Sequence, residues 1–158
     1  MTYLKKIRTF FSLDIGTLIL FVEASLYLGW ARILICMPFS KITSSLGVER
    51  DETPLTVLEN KEILKRVANA IDIMSNHMLW ECKCLVRAIA ALKMLERRKV
   101  ECTLYLGTAK DESGNMIAHA WLRSGPFYIT GAEGMERFTV VGSFANRVQS
   151  RKKGASSG

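Results

Sequence analysis

The 158 residues are 49% hydrophobic and 23% charged, with 3 Pro and 11 Gly, which fits one compact domain with a real core. This balance excludes a disordered tail protein, a collagen-like repeat and a two-domain enzyme. The 22 Lys+Arg against 15 Asp+Glu give a net charge of +7. The basic residues are scattered from Lys5 to Lys153 rather than gathered in one block, so the charge permits acidic or nucleic-acid partners without naming them, and no nucleic acid is among the partners expected below.

A basic start, Lys5, Lys6 and Arg8, precedes a very apolar stretch from Ile15 to Phe39. Its strong apolar residues favour bilayer insertion by about 0.3–0.6 kcal/mol each, while Glu23 and Arg32 cost roughly 2.5–3.5 each, so the sum lies near zero. Insertion is not predicted. Glu23 and Arg32 are also half a helical turn apart in angle and mark no single polar face for an interfacial helix. The stretch is expected to pack in a soluble fold or against a partner. Asp14 and the lack of a small-residue cleavage site argue against a signal peptide. A short piece opened by Pro38 ends near Gly47, and Gly47–Pro54 reads as a linker.

Leu58, Ile63, Leu64, Val67, Ala70, Ile71 and Met74 recur at helical spacing, which predicts an amphipathic helix over 58–74. Leu85, Ala88, Ile89, Leu92 and Leu95 predict a second helix from 81–84 to about 98, with Lys83, Arg87, Lys93 and Arg97 outside its stripe. Strands follow: Cys102–Thr108, a turn at Asp111–Asn115, Met116–Arg123, a turn at Ser124–Pro126, Phe127–Thr130 and Phe138–Val141. Helices first and short strands with tight turns later predict an α+β domain with an antiparallel sheet. The expected organisation is an apolar helical region over 1–48 packed on the core or a partner, a core over 55–146, and a flexible basic tail over 147–158.

Two histidines, His77 and His119, and four cysteines, Cys36, Cys82, Cys84 and Cys102, are available for chemistry. The cysteine spacings of 46, 2 and 18 resemble neither a disulfide framework nor the paired knuckles of a zinc site, so reduced thiols and no metal are expected. Cys84 falls where the second helix begins, and the unpaired N–H groups of a helix start favour a thiolate. In the strand Ile117–Leu122 the alternation puts Ala118, Ala120 and Leu122 on one face and His119 and Trp121 on the other. A histidine facing the helix start can take the thiol proton and return it to a leaving amine. Cys82 lies about 200° round from Cys84 on a helix, so the two cannot share one cleft if both are helical.

The run W-x3-CLVRAIAALKMLERR from Trp80, LYLGTAKD from Leu104, AHAWLRSGPFYITGAEG from Ala118 and FTVVGSF from Phe138 resembles the transglutaminase-like B2 leader peptidases of lasso-peptide biosynthesis, the family of the microcin-processing B protein. The resemblance covers roughly 55–146. It implies a papain-like or transglutaminase-like α+β fold and a cytoplasmic cysteine peptidase, with association at the membrane periphery as a further reading. Cys84 would be the nucleophile and His119 the base, without a cofactor. It implies as partners a ribosomal precursor peptide, a separate leader-binding protein and, with them, the lasso cyclase. Relatives carry an Asp after the histidine, but 127–134 contains none. Thr130, Glu133 or a main-chain carbonyl is left to orient the imidazole. The backbone N–H of Cys84, joined by Asn76 or His77, is expected to form the oxyanion hole, and Trp80 and Trp121 are candidate walls of a peptide groove. An acyltransferase and a docking scaffold are the alternative functions.

Overall fold

The computed structural model describes residues 13–56 and 60–148. Helix α1 (Ile15–Leu34) leads to a short helix α2 (Phe39–Thr43) and a two-residue strand β1 (Val48–Glu49). Helices α3 (Lys61–His77) and α4 (Cys84–Arg97) follow, then β2 (Cys102–Lys110), β3 (Met116–Ser124), β4 (Phe127–Thr130), a 3₁₀ turn (Met135–Arg137) and β5 (Thr139–Asn146). The five strands form one antiparallel sheet in the order β1-β5-β2-β3-β4. The architecture is α+β. The tail beyond Val148 and the basic start before Leu13 lie outside the described residues.

Helix α4 is the centre of the molecule because its sequence has almost nothing polar to hold outward over its middle. Val86, the run Ala88–Leu92, Met94 and Leu95 are all buried, between the other helices and one face of the sheet. The alanines let the neighbouring helices approach closely, and each fully buried Leu or Ile contributes about 1.5–3 kcal/mol relative to exposure. Lys99 stops the helix in a left-handed conformation with φ 55°. There the Val100 N–H donates to the Leu95 carbonyl at 3.0 Å and the Lys99 N–H to that of Glu96 at 3.0 Å, which satisfies carbonyls the helix leaves open.

Helix α1 packs on both α3 and α4. Leu20, Ala24, Leu28, Ala31 and Leu34 turn inward, and Glu23 is held beside them. Two hydrogen bonds of 2.8 and 2.7 Å come to the Glu23 carboxylate from Arg98, with Arg97 at 3.9 Å. Glu23 therefore faces a protein partner and not the outer side of the helix. By length and composition α1 could cross a membrane, with a third of its apolar window buried in the protein. The stretch Gly47–Pro54, expected as a linker, instead contributes β1, which pairs Val48 with Ala145 and Glu49 with Phe144. Beyond β1 it runs against the sheet, where the Thr53 N–H donates to Thr103 Oγ1 at 2.9 Å.

The two faces of the sheet differ in chemistry. Leu104, Ala120, Leu122 and Phe144 join the helix-packed core. Alternation carries Thr103, Tyr105, Trp121 and Arg123 to the other face. Arg123 is only 4% exposed there, and its guanidinium donates to Tyr105 Oη, the Thr53 carbonyl and the Gly125 carbonyl. A buried cation is tolerable because every side of it meets an oxygen. This network ties the segment after β1 to β2 and β3.

Candidate active site

The N-terminus of α4 carries no side-chain cap, because the residue at the cap position is Lys83, which has no acceptor to offer. The Arg87 N–H is the first to close back, on the Lys83 carbonyl at 3.1 Å. The N–H groups of Cys84, Leu85 and Val86 thus have no acceptor within the helix, and the positive end of its dipole is left open at Cys84.

Cys84 opens into a cleft of about 530 Å³ lined also by Asn69 and Asp72 of α3, Arg87, His119, and the run Tyr128–Glu133. The sequence-predicted pair, Cys84 and His119, is therefore brought to one cavity. His119 does not arrive there from the helix-packed face, since it lies on the same side of β3 as Trp121. Strand β4 pairs with β3 only over Leu122–Ser124. Past its end the edge of β3 meets the turn at Gly131, and the imidazole enters the cleft at that point. Among the described residues no hydrogen bond joins the Cys84 thiol to the imidazole.

The orienting partner of His119 is a main-chain carbonyl. Its Nε2 lies 2.8 Å from the Gly131 oxygen. A carbonyl only accepts, so Nε2 carries the proton and Nδ1 is left with its lone pair free for a proton from elsewhere. Gly131 adopts φ 71°, and a Cβ there would overlap the Ala120 carbonyl and sit 3.0 Å from Trp121 Cα. Only glycine lets the chain turn this close to β3. The ring is held from below by Trp121, with centroids 5.8 Å apart, and from the side by Phe138 at 5.0 Å. Gly107, opposite His119 on β2, leaves the space that the Trp121 ring occupies.

Thr130 and Glu133, the candidate third members, both line the cleft, but neither bonds the imidazole. Thr130 pairs with Leu122 because β4 bulges between its partners for Leu122 and Arg123, and its buried Oγ1 has no hydrogen-bond partner among the described residues. Trp121 is buried beneath His119 and is no groove wall. Trp80 is absent from the cleft and packs near Gly29 of α1. His77 bonds the Ile73 carbonyl of its own helix at 2.7 Å, and neither it nor Asn76 lines the cleft. Asn69, two turns earlier on α3, is the amide that does.

Arg87 and Asp72 were not singled out in the sequence. Arg87 stands three residues after Cys84 and so shares its side of the helix, a signal available from spacing alone. Its Nη2 meets Asp72 at 2.7 Å, which ties α4 to α3 at the rim of the cleft.

The other thiols are separated from this chemistry. Burial pushes Cys102 up to about 12, the thiol being enclosed beneath β2. Cys82 is also raised, first by desolvation, with Arg87 opposing, and its thiol points to the Trp80 carbonyl at 3.9 Å. All four cysteines are free. Among the described residues no group of three or more His, Cys, Asp or Glu is placed to hold a metal ion.

A cysteine at an uncapped helix start, sharing a cleft with a strand histidine whose free nitrogen is Nδ1, is the scaffold of cysteine proteases and cysteine acyltransferases. The profile of the Transglutaminase-like superfamily matches residues 26–143, and the chain belongs to that superfamily. No curated protein and no solved structure matches it.

Proposed function

We propose that the protein is a cysteine peptidase that removes the leader from a ribosomally made lasso-peptide precursor. The observation that carries this reading is the Cys84–His119 cleft with its imidazole fixed through Nε2. The Cys84 sulfur attacks the carbonyl carbon at the leader–core junction as its proton passes to His119 Nδ1. The N–H of Cys84 takes the developing oxyanion. The scissile C–N bond breaks as His119 returns the proton to the core amine, leaving the leader as a thioester on Cys84. Water, deprotonated by His119, then releases the leader carboxylate and regenerates the thiol.

The open rim, with Tyr128 and Glu133 on one side and Asn69 and Asp72 on the other, suits an extended peptide better than a small enclosed substrate. The same scaffold supports a second reading, transfer of the acyl group to an amine, which the superfamily includes. The non-catalytic docking scaffold is the weaker reading, because the imidazole is oriented despite the missing acid. We include in the proposal a cytoplasmic location, in keeping with four free thiols, a separate leader-binding protein that presents the precursor to this cleft, and the lasso cyclase as a further partner.

The test is mass spectrometry of a candidate precursor incubated with the full chain. A free leader carboxylate supports the peptidase, an amine adduct supports the acyltransferase, and an intact precursor with unmodified Cys84 refutes both. Adding the leader-binding protein should lower KM for full-length precursor far more than for a short peptide spanning only the junction.

A further inference from the structure

The outer side of α1 is the largest apolar feature that the Cys84–His119 cleft does not use. Ile15, Ile19, Val22, Leu26 and Ile33 each leave 60% or more of their surface open, and Trp30 and Met37 continue the row. At 100° per residue the six of these that lie on the helix, Ile15 to Ile33, fall within an arc of about 80°. No charged residue interrupts the arc. Glu23, which the sequence alone places against an interfacial helix, is buried at the stripe's edge and neutralised by Arg98. A contiguous row of six open large apolar side chains lies at the upper end of what a soluble monomer ordinarily shows. The loop before α4 adds Leu79, 98% exposed, and Trp80, which lies beside α1 at Gly29.

The charges around this patch have one dominant sign. Arg97, 69% exposed, lines the groove that contains Ile19, Val22, Leu26 and Trp30. Arg66 borders the adjoining groove at Gly16 and Ile19, and Arg32 is exposed near the far end of the helix. The exposed acids nearby are Asp14 at the start of the helix and Glu81 after Trp80. Two copies pairing stripe to stripe would bring together like charges on molecules of +7 each, whereas an anionic lipid surface complements both the stripe and its rim.

We infer that α1 docks the protein on an anionic membrane, lying in the plane of the interface with its stripe at the acyl boundary and its arginines among the phosphates. The helix does not span the bilayer, since that would strip Leu20, Ala24, Leu28 and Glu23 from α3 and α4. The Leu79–Trp80 loop leads directly to Cys84, so docking sets the cleft close to the lipid surface. This inference stands on α1 and the residues bordering it and does not depend on which reaction the cleft performs.

The test is co-sedimentation of the full chain with vesicles of phosphatidylcholine, with and without one part in three of phosphatidylglycerol, alongside sedimentation equilibrium without lipid. Binding is expected at least tenfold tighter to the anionic vesicles, weakened but not abolished by high salt, and released by alkaline carbonate. Val22→Gln with Leu26→Gln, two exposed positions whose change leaves the core intact, should reduce binding at least tenfold with unchanged circular dichroism, and Arg97→Gln should reduce its salt dependence. Equal binding of wild type and the double variant overturns the inference. So does a stable dimer that ignores vesicles, a monomer that ignores them and is captured only by a protein partner, or resistance to carbonate, which would mean a spanning helix.

Discussion

Replacing Gly131 by alanine separates the two things this glycine does, and Gly134→Ala provides the measure. Both residues are left-handed, with φ 71° and 74°, but a Cβ at Gly134 meets nothing within 4 Å while one at Gly131 runs into the Ala120 carbonyl and the Trp121 backbone. Gly134→Ala should therefore cost only the conformational penalty, about 1–2 kcal/mol. At Gly131 the same penalty is joined by an overlap with backbone atoms that no side-chain rotation relieves, adding roughly 1–3 kcal/mol. The chain must withdraw from β3, which carries the carbonyl away from His119 Nε2. Losing the tautomer and ring position should slow Cys84 chemistry by about 10²-fold or more, within the range spanned by general-base catalysis. Urea unfolding and acetylation of the protein by p-nitrophenyl acetate read the two effects. Equal stability and equal acetylation rates in the two variants would refute the role given to the Gly131 carbonyl.

Cys84→Ala should abolish turnover and keep the fold, whereas Cys82→Ser should retain most activity; peptide cleavage assays and circular dichroism decide, and loss of activity in the Cys82 variant would reassign the nucleophile. Arg98→Ala should cost about 3–5 kcal/mol, because it leaves the 10%-exposed Glu23 side chain with only Arg97 at 3.9 Å. Glu23→Ala should cost less, roughly 1–3 kcal/mol, since Arg98 is 27% exposed and keeps the Met94 carbonyl; denaturant titration showing the reverse order would contradict the packing of α1. Cys102 is protonated in the folded protein up to about 12, against 9.0 for a free thiol, so the protonated form favours folding. Stability should decline as pH rises from 9 towards 12, and Cys102→Ala should remove that part of the slope in unfolding titrations. Iodoacetamide should leave Cys102 unlabelled at neutral pH until the protein is unfolded.

How much of this was legible in the sequence depends on whether the cause was local. The start of α4 at Cys84, the Asp111–Asn115 turn and the span Phe127–Thr130 follow from periodicity and turn chemistry, which neighbouring residues supply. Strand β5 runs on to Asn146 through Gly142 and Ser143, residues with little strand preference, because β2 on one side and β1 on the other hold it there. Strand β1 itself has no sequence signal beyond Val48 and exists only through its pairing. At the site, side-chain identity pointed to Cys84 and His119, but the imidazole's partner is a backbone oxygen, which no residue letter encodes. The bulge that moves Thr130 opposite Leu122 was likewise hidden, and with it the reason Thr130 cannot serve His119. Trp80, a candidate groove wall, is turned towards α1 by the loop after α3, a course that no local pattern encodes.

The central claim for the cleft is that Cys84 is an acyl-accepting nucleophile assisted by His119. Intact and peptide mass spectrometry after mixing the full chain with p-nitrophenyl acetate, with nitrophenolate release followed in the same reaction, tests it without knowledge of the natural substrate. The account predicts a burst of about one equivalent with the acetyl group on Cys84, no burst in Cys84→Ala, and a burst slowed about 10²-fold or more in His119→Ala. Acetylation of Cys84 no faster than that of the exposed Cys36, or a rate untouched by His119→Ala, would contradict it.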